Sequence, residues 1–96
     1  NELVVVQGDH ELLYHNYLEA SNEHWIDKRP KLPLNCTAKI RYRQKSQNCT
    51  IKSSNNGYLS VLFDKPQRAI TPGQSIVFYD EEICIGGGII ETRGNN

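Results

Sequence analysis

The sequence has 96 residues, with 11 basic and 11 acidic residues, three cysteines and no methionine. This length predicts one small domain, or one domain with part of a neighbour. No apolar stretch reaches the length of a membrane span, and no basic segment followed by an apolar run suggests a signal peptide. Because the chain starts at Asn1, directly before an apolar run, we expect a fragment of a longer protein.

The neutral total hides a separation of charge along the chain. Residues 28–63 carry eight basic residues and no acidic one, whereas the rest of the chain carries three basic and all eleven acidic residues. Such asymmetry favours an oriented electrostatic surface, with nucleic acid as the preferred partner. The alternative is a solvated face that binds nothing.

Short apolar runs predict strands at residues 3–6 and 12–18. Residues 36–43 then alternate strictly between apolar and polar side chains, which is typical of a half-buried strand. On this pattern one face is displayed and the other packs in the core; the displayed cations are Lys39, Arg41 and Arg43, and the inward set is Cys36, Ala38, Ile40 and Tyr42.

The rest of the chain alternates between turns and further strands. A polar loop at 46–48 precedes a return strand from 49, and Asn55-Asn56-Gly57 predicts a hairpin turn because Asn and Gly accept positive φ. A strand at 58–63, a Thr-Pro-Gly-Gln turn at 71–74 and strands at 75–79, 83–85 and 89–92 follow. Gly86–Gly88 lacks the features of a phosphate loop and indicates a bulge or a close backbone approach. The whole pattern predicts a small antiparallel β-barrel or sandwich.

The cysteines lie in two N-glycosylation patterns and one isolated position. Asn35-Cys36-Thr37 and Asn48-Cys49-Thr50 fit the acceptor motif of a secreted glycoprotein, which stays an alternative. The odd number of cysteines and the absence of paired ligand spacing with His10, His15 or His24 argue against a disulfide scaffold or a zinc site. We interpret Cys36, Cys49 and Cys84 as buried thiols of a reduced cytosolic protein, and the two triplets as strand starts.

Two long stretches carry a family resemblance. CTAKIRYRQKSQNCTI (36–51) and VLFDKPQRAITPGQSIVFYDEEICIGGGIIE (61–91) resemble the C-terminal part of the bacterial tRNA-specific 2-thiouridylases, the MnmA family, and residues 1–26 look similar too. The resemblance implies a translation-factor-like barrel of about six to eight short strands at 21–96, preceded at 1–20 by the end of a small central domain. One departure is Asp80-Glu81-Glu82, where the family often has a glycine, which puts the tightness of this turn in question.

The resemblance also implies a function for the parent protein. Its N-terminal domain uses ATP with Mg to adenylate C2 of the wobble uridine (tRNA position 34), and a cysteine persulfide then supplies sulfur to give 2-thiouridine. The ATP site and both catalytic cysteines lie upstream in that family, so this chain alone carries no catalytic centre, metal or cofactor. The implied partners are tRNA and a sulfur-relay protein, the location is the cytoplasm without membrane contact, and the fragment is expected to be monomeric.

The family places tRNA contacts at Arg41, Tyr42 and Gln74. Lys39 and Arg43 join them from charge alone, as phosphate contacts that position the RNA. Alternation would instead put Tyr42 in the core, and Gln74 could merely stabilise its turn. For the domain as a whole, the alternatives are a general RNA-binding barrel and a structural module that contacts no RNA.

Overall fold

The computed structural model describes residues 13–95, which form six strands and no helix. The strands are β1 (Tyr14–Trp25), β2 (Leu34–Lys39), β3 (Gln47–Asn55), β4 (Tyr58–Arg68), β5 (Ser75–Asp80) and β6 (Ile83–Gly94). They close a barrel in the order β1-β4-β3-β2-β5-β6, and every neighbouring pair is antiparallel. The predicted all-β antiparallel barrel is therefore confirmed, while the strand predicted at 3–6 lies outside the described residues. No segment of 13–95 forms a helix that could span a membrane.

Alternating side chains of the strands fill the barrel interior. On β4, Leu59, Val61 and Phe63 are all buried, as the period of two predicts. The same rule buries one face of each neighbouring strand; the core consists of Leu18, Ala20, Ala38, Ile40, Cys49, Ile51, Leu59, Val61, Phe63, Ile70, Ile76, Phe78 and Ile90. The barrel is closed, because each of the six strands within residues 13–95 pairs with two others, as β1 does with β4 and β6.

Two two-residue hairpins lie where the sequence predicted turns, although the second is shorter than the three-residue connection expected, because Asp80 belongs to β5. Asn55 pairs with Tyr58, so the turn predicted around Asn56-Gly57 is confirmed. At the β5–β6 hairpin, Asp80 pairs with Ile83, which makes this turn tight although it lacks a glycine. A two-residue hairpin turn needs a positive φ at its first central residue, and Glu81 adopts a φ of 59°. This left-handed conformation is costly for a residue that has a Cβ.

β6 runs without interruption through the three glycines, so the prediction of two separate strands there was wrong. The interpretation as a close backbone approach is confirmed. A Cβ added to Gly86 would lie 2.5 Å from Cε3 of Trp25, and one added to Gly87 would lie 2.5 Å from the carbonyl oxygen of Ile76. The glycines therefore keep β6 in the sheet by leaving room for its two neighbours, which propensity alone did not indicate.

β2 ends at Lys39, four residues earlier than the alternation predicted. The N–H of Ile40 donates to Oε1 of Gln44 (2.9 Å) instead of to a neighbouring strand. The N–H of Gln44 donates to the carbonyl oxygen of Arg41 at 3.3 Å, so the chain turns here. Tyr42 lies in that turn and is 93% exposed. The alternative that placed Tyr42 in the core was wrong, because the alternation stops with the strand.

β1 is longer than its predicted counterpart at 12–18, since it continues to Trp25. Its register shifts against β6 between Ser21 and His24, and such irregularities obscure the alternating pattern in the sequence. The strand crosses residue 20, where the sequence suggested a domain boundary; that boundary stays a prediction.

Candidate nucleic-acid interface

A surface groove of about 340 Å³ opens between the turn after β2 and the start of β5. β2 and β5 are paired neighbours, so residues distant in sequence meet there. We call this the basic groove; it is lined by Lys39, Ile40, Arg41, Tyr42, Gln74, Ser75, Val77 and Tyr79. The fold thus brings together four of the five predicted RNA contacts. Arg43 is exposed in the same turn but does not line the groove.

Arg41 is exposed and anchored at one of its nitrogens. Its Nη2 donates to the carbonyl oxygen of Arg68, at the end of β4. A guanidinium has five N–H donors in a fixed fork, so one backbone contact leaves further donors for a ligand. This contact orients the side chain at the barrel surface.

Two glutamines hold the Arg41 turn in place. Oε1 of Gln44 accepts from Ile40 N–H, and its Nε2 donates to Oε1 of Gln67 at 3.0 Å. Gln67 is only 5% exposed, and its own Nε2 donates to the carbonyl oxygen of Lys65 at 2.9 Å. Sequence reasoning gave these residues no role. The signal available was that Gln44 completes the Arg-Tyr-Arg-Gln motif of the family resemblance.

Gln74 closes the second wall of the basic groove through its backbone. Its N–H donates to the carbonyl oxygen of Thr71 (3.2 Å), and its own carbonyl oxygen accepts from Ile90 N–H (2.8 Å). Gly73 adopts a φ of 94°, as the third position of a type II turn requires. The predicted turn is confirmed. Because backbone groups close it, the exposed amide of Gln74 remains available to a ligand.

A cation of β2 lies beside an aromatic ring of β5 in the basic groove. Nζ of Lys39 lies 5.3 Å from the ring centroid of Tyr79, a cation–π distance. With Arg41 and Tyr42, the groove offers two cations and two phenol rings. None of its lining residues is acidic. Cations suit phosphate oxygens and exposed rings suit unstacked bases, so the groove has the chemistry of a nucleic-acid contact.

The basic segment of the sequence is not uniformly available for binding. Arg29, one of its eight cations, forms an ion pair with Glu23 (Nε to Oε1, 2.9 Å). Glu23 also accepts hydrogen bonds from Trp25 Nε1 (2.8 Å) and Ser54 Oγ (3.0 Å). Burial alone would raise the pKa of Glu23, but these hydrogen bonds and the Arg29 charge together hold the pKa below its ordinary value.

A second groove, of about 420 Å³, lies at the opposite ends of β2 and β5. We call it the apolar groove; Ile26 and Ile83, both 70% exposed, line it together with Cys36 and Cys84. The expectation of three buried thiols was wrong for Cys84, which is exposed, and Cys36 is only half-buried. Among residues 13–95 no three His, Cys, Asp or Glu side chains cluster as metal ligands would.

Comparison with known proteins gives the class of domain. Residues 15–90 match the family described as the aminomethyltransferase β-barrel domain, and the chain belongs to that family.

The names of individual relatives are more specific than this family description. The chain is 63% identical over 93 residues to the tRNA-specific 2-thiouridylase MnmA of Vesicomyosocius okutanii, and 61% identical over 93 residues to that of Ruthia magnifica. The corresponding protein of Francisella philomiragia is 51% identical over 92 residues. These matches cover 97%, 97% and 94% of this chain but 26% of each relative, so the chain spans about a quarter of their length. The resemblance stated from the residues is confirmed.

Proposed function

We propose that this chain is the tRNA-binding barrel of a tRNA-specific 2-thiouridylase, and that the basic groove seats the anticodon arm. The observation that carries the proposal is the meeting of Lys39, Arg41, Tyr42 and Gln74 in one groove. Gln74 was expected at a tRNA contact from the family resemblance alone. It lies next to the Arg41 turn only because β2 pairs with β5.

The groove residues divide the work by their chemistry. Arg41 and Lys39 bind phosphate oxygens, and Arg43 adds a phosphate contact from the same turn, outside the groove. Such contacts fix the position of the RNA. Tyr42 is exposed enough to stack on an unpaired base. Gln74 offers an amide donor and an acceptor to a base or sugar edge.

The rest of the proposed parent supplies the reaction. It thiolates C2 of the wobble uridine in the cytoplasm. The ATP with Mg and the sulfur-relay donor that this reaction uses bind to domains outside this chain. This barrel holds the substrate and carries out no chemical step, and Cys36, Cys49 and Cys84 have no catalytic role. Monomeric behaviour of the chain belongs to the same proposal.

Binding of a labelled anticodon stem-loop across a salt series tests the proposal, with the full-length protein and its Arg41→Ala variant. Loss of one phosphate contact flattens the slope of log affinity against log salt by roughly 0.7 to 0.9. Lys52→Ala is the matched control, because Lys52 is an exposed cation of the same basic segment that lies on β3 and does not line the groove.

Three results distinguish the alternatives. A flatter slope for Arg41→Ala alone, with preference for a loop that has a wobble uridine, supports the proposal. Equal binding of unrelated stem-loops favours a general RNA-binding barrel. Identical affinity and slope for wild type and Arg41→Ala contradict the groove assignment and favour a structural module.

A further inference from the structure

The two Asn-Cys-Thr triplets of the sequence lie opposite each other across β2 and β3. Asn35 pairs with Thr50, Cys36 with Cys49, and Thr37 with Asn48. The predicted strand starts are thereby confirmed, and the repeat places two cysteines in direct opposition. Their Sγ atoms are 3.9 Å apart.

The backbone geometry already suits a bond between these two sulfurs. Directly opposed residues of an antiparallel pair have Cα atoms about 4.5–5.5 Å apart. Disulfides require roughly 4.4–6.8 Å between Cα atoms. Opposed Cβ atoms lie about 4.5–5.5 Å apart and a disulfide requires about 3.5–4.5 Å, so Cys36 and Cys49 need rotation of their side chains and a small approach of the two strands.

The two thiols differ in access and in acidity. Cys36 is half-buried and lines the apolar groove, whereas Cys49 is 2% exposed. A hydrogen bond from the Cys49 thiol lowers the pKa of Cys36, and outweighs the opposing effects of burial and of Asp80. The same bond, burial and nearby negative charge including Asp64 raise the pKa of Cys49. Cys36 is thus the accessible thiol and the more readily ionised of the pair.

We propose that Cys36 and Cys49 form an oxidisable pair that closes into a cross-strand disulfide when hydrogen peroxide enters the apolar groove. The Cys36 thiolate attacks one peroxide oxygen; the O–O bond breaks, a sulfenic acid forms, and the released hydroxide leaves as water with the proton from Cys36. The Cys49 sulfur then attacks the sulfenic sulfur, the S–O bond breaks, and a second water leaves with the proton from Cys49. Two thiols are oxidised by two electrons, and one peroxide is reduced to two waters.

This bond would constrain the segment that carries the basic groove. Lys39, Arg41, Tyr42 and Arg43 all lie between Cys36 and Cys49 in the sequence, so the disulfide closes a covalent ring around their turn. Oxidation therefore restricts the motion of that turn at the barrel surface. Any effect on RNA binding rests on the proposed function, whereas the disulfide and the restricted motion do not.

Peptide mapping tests the pairing, because trypsin places the three thiols on different peptides. Cleavage after Lys or Arg yields residues 32–39 with Cys36, 46–52 with Cys49, and 69–93 with Cys84. The full-length protein is treated with hydrogen peroxide, its remaining thiols are alkylated, and it is digested without reductant. We expect loss of the free 32–39 and 46–52 peptides and a product that links them.

Two variants make the result specific. In Cys49→Ser the linked product disappears, and dimedone traps the sulfenic acid on the peptide with Cys36. Cys84→Ser leaves the linked product unchanged. Oxidation confined to Cys84, with Cys36 and Cys49 both alkylated, overturns the proposal.

A second measurement tests the effect on the turn. The rate of cleavage of the native protein after Arg41 and Arg43 by trypsin, followed on reducing gels, should fall on oxidation in wild type and Cys84→Ser. It should not change in Cys49→Ser. An unchanged rate in oxidised wild type, despite the linked peptides, contradicts the restricted turn. The stem-loop titration, run on reduced protein, then shows separately whether the groove binds RNA.

Discussion

Replacement of Gln44 by alanine is expected to destabilise the barrel and to release the Arg41 turn. The substitution removes the bonds from Gln44 to Ile40 N–H and to Gln67 Oε1. Both partners belong to residues that are 5% exposed. A buried polar group left without a hydrogen-bond partner lowers the free energy of unfolding by about 1–3 kcal/mol. Because Gln44 itself is half-buried, water reaches part of the space, and we expect the lower end for each group, about 2 kcal/mol in total.

Urea unfolding of the chain and thermal melting measure this loss. In a domain of this size, 2 kcal/mol lowers Tm by roughly 8–16 °C. Gln47→Ala is the matched control, because Gln47 makes one exposed bond, from Nε2 to the carbonyl oxygen of Lys45. Its cost should stay within about 0.5 kcal/mol. Equal stability of the Gln44 and Gln47 variants would refute the role given to the Gln44–Gln67 pair.

Three further substitutions test other parts of the fold. Gly86→Ala should lower the free energy of unfolding by about 1–3 kcal/mol or more by overpacking. Gly94→Ala, with nothing within 4 Å of the added Cβ, should lower it by under about 1 kcal/mol. Equal urea midpoints for the two variants would contradict the close approach at Gly86. Glu81→Gly should stabilise the chain by about 0.5–1 kcal/mol by relieving the left-handed φ, and Glu82→Gly should not; the reverse order in thermal melts would disprove this. Glu23→Gln should make the free energy of unfolding fall less steeply as the pH is lowered below about 5. The lowered pKa of Glu23 gives stabilisation that is complete above about pH 5 and lost as pH falls through that pKa. The same dependence of the free energy of unfolding on pH in wild type and variant would refute this.

The sequence was informative wherever a local rule acted alone. Alternation identified the inward face of β4, and the Asn-Gly and Pro-Gly pairs located two turns, because turn chemistry and the period of a strand are local properties. The end of β2 was missed because it depends on Gln44, whose side chain replaces a strand partner for Ile40. The continuity of β6 was missed because it depends on Trp25 and Ile76, on two other strands.

The candidate site shows the same division. Charge and family resemblance named Arg41, Tyr42 and Gln74 individually. Their meeting in one groove follows from the pairing of β2 with β5, and no pattern along the chain encodes that pairing. The opposition of Cys36 and Cys49 likewise required the register of β2 on β3, although the repeated triplet was visible from the start.

Amide hydrogen exchange of the full-length protein, with and without a tRNA that carries a wobble uridine, tests most directly whether the basic groove seats tRNA. We predict slower exchange on both walls, at residues 40–44 and 73–75, and unchanged exchange at residues 26–31 beside the apolar groove. Protection at 26–31 with none at 40–44 would contradict the assignment and would place the RNA at the other end of the barrel.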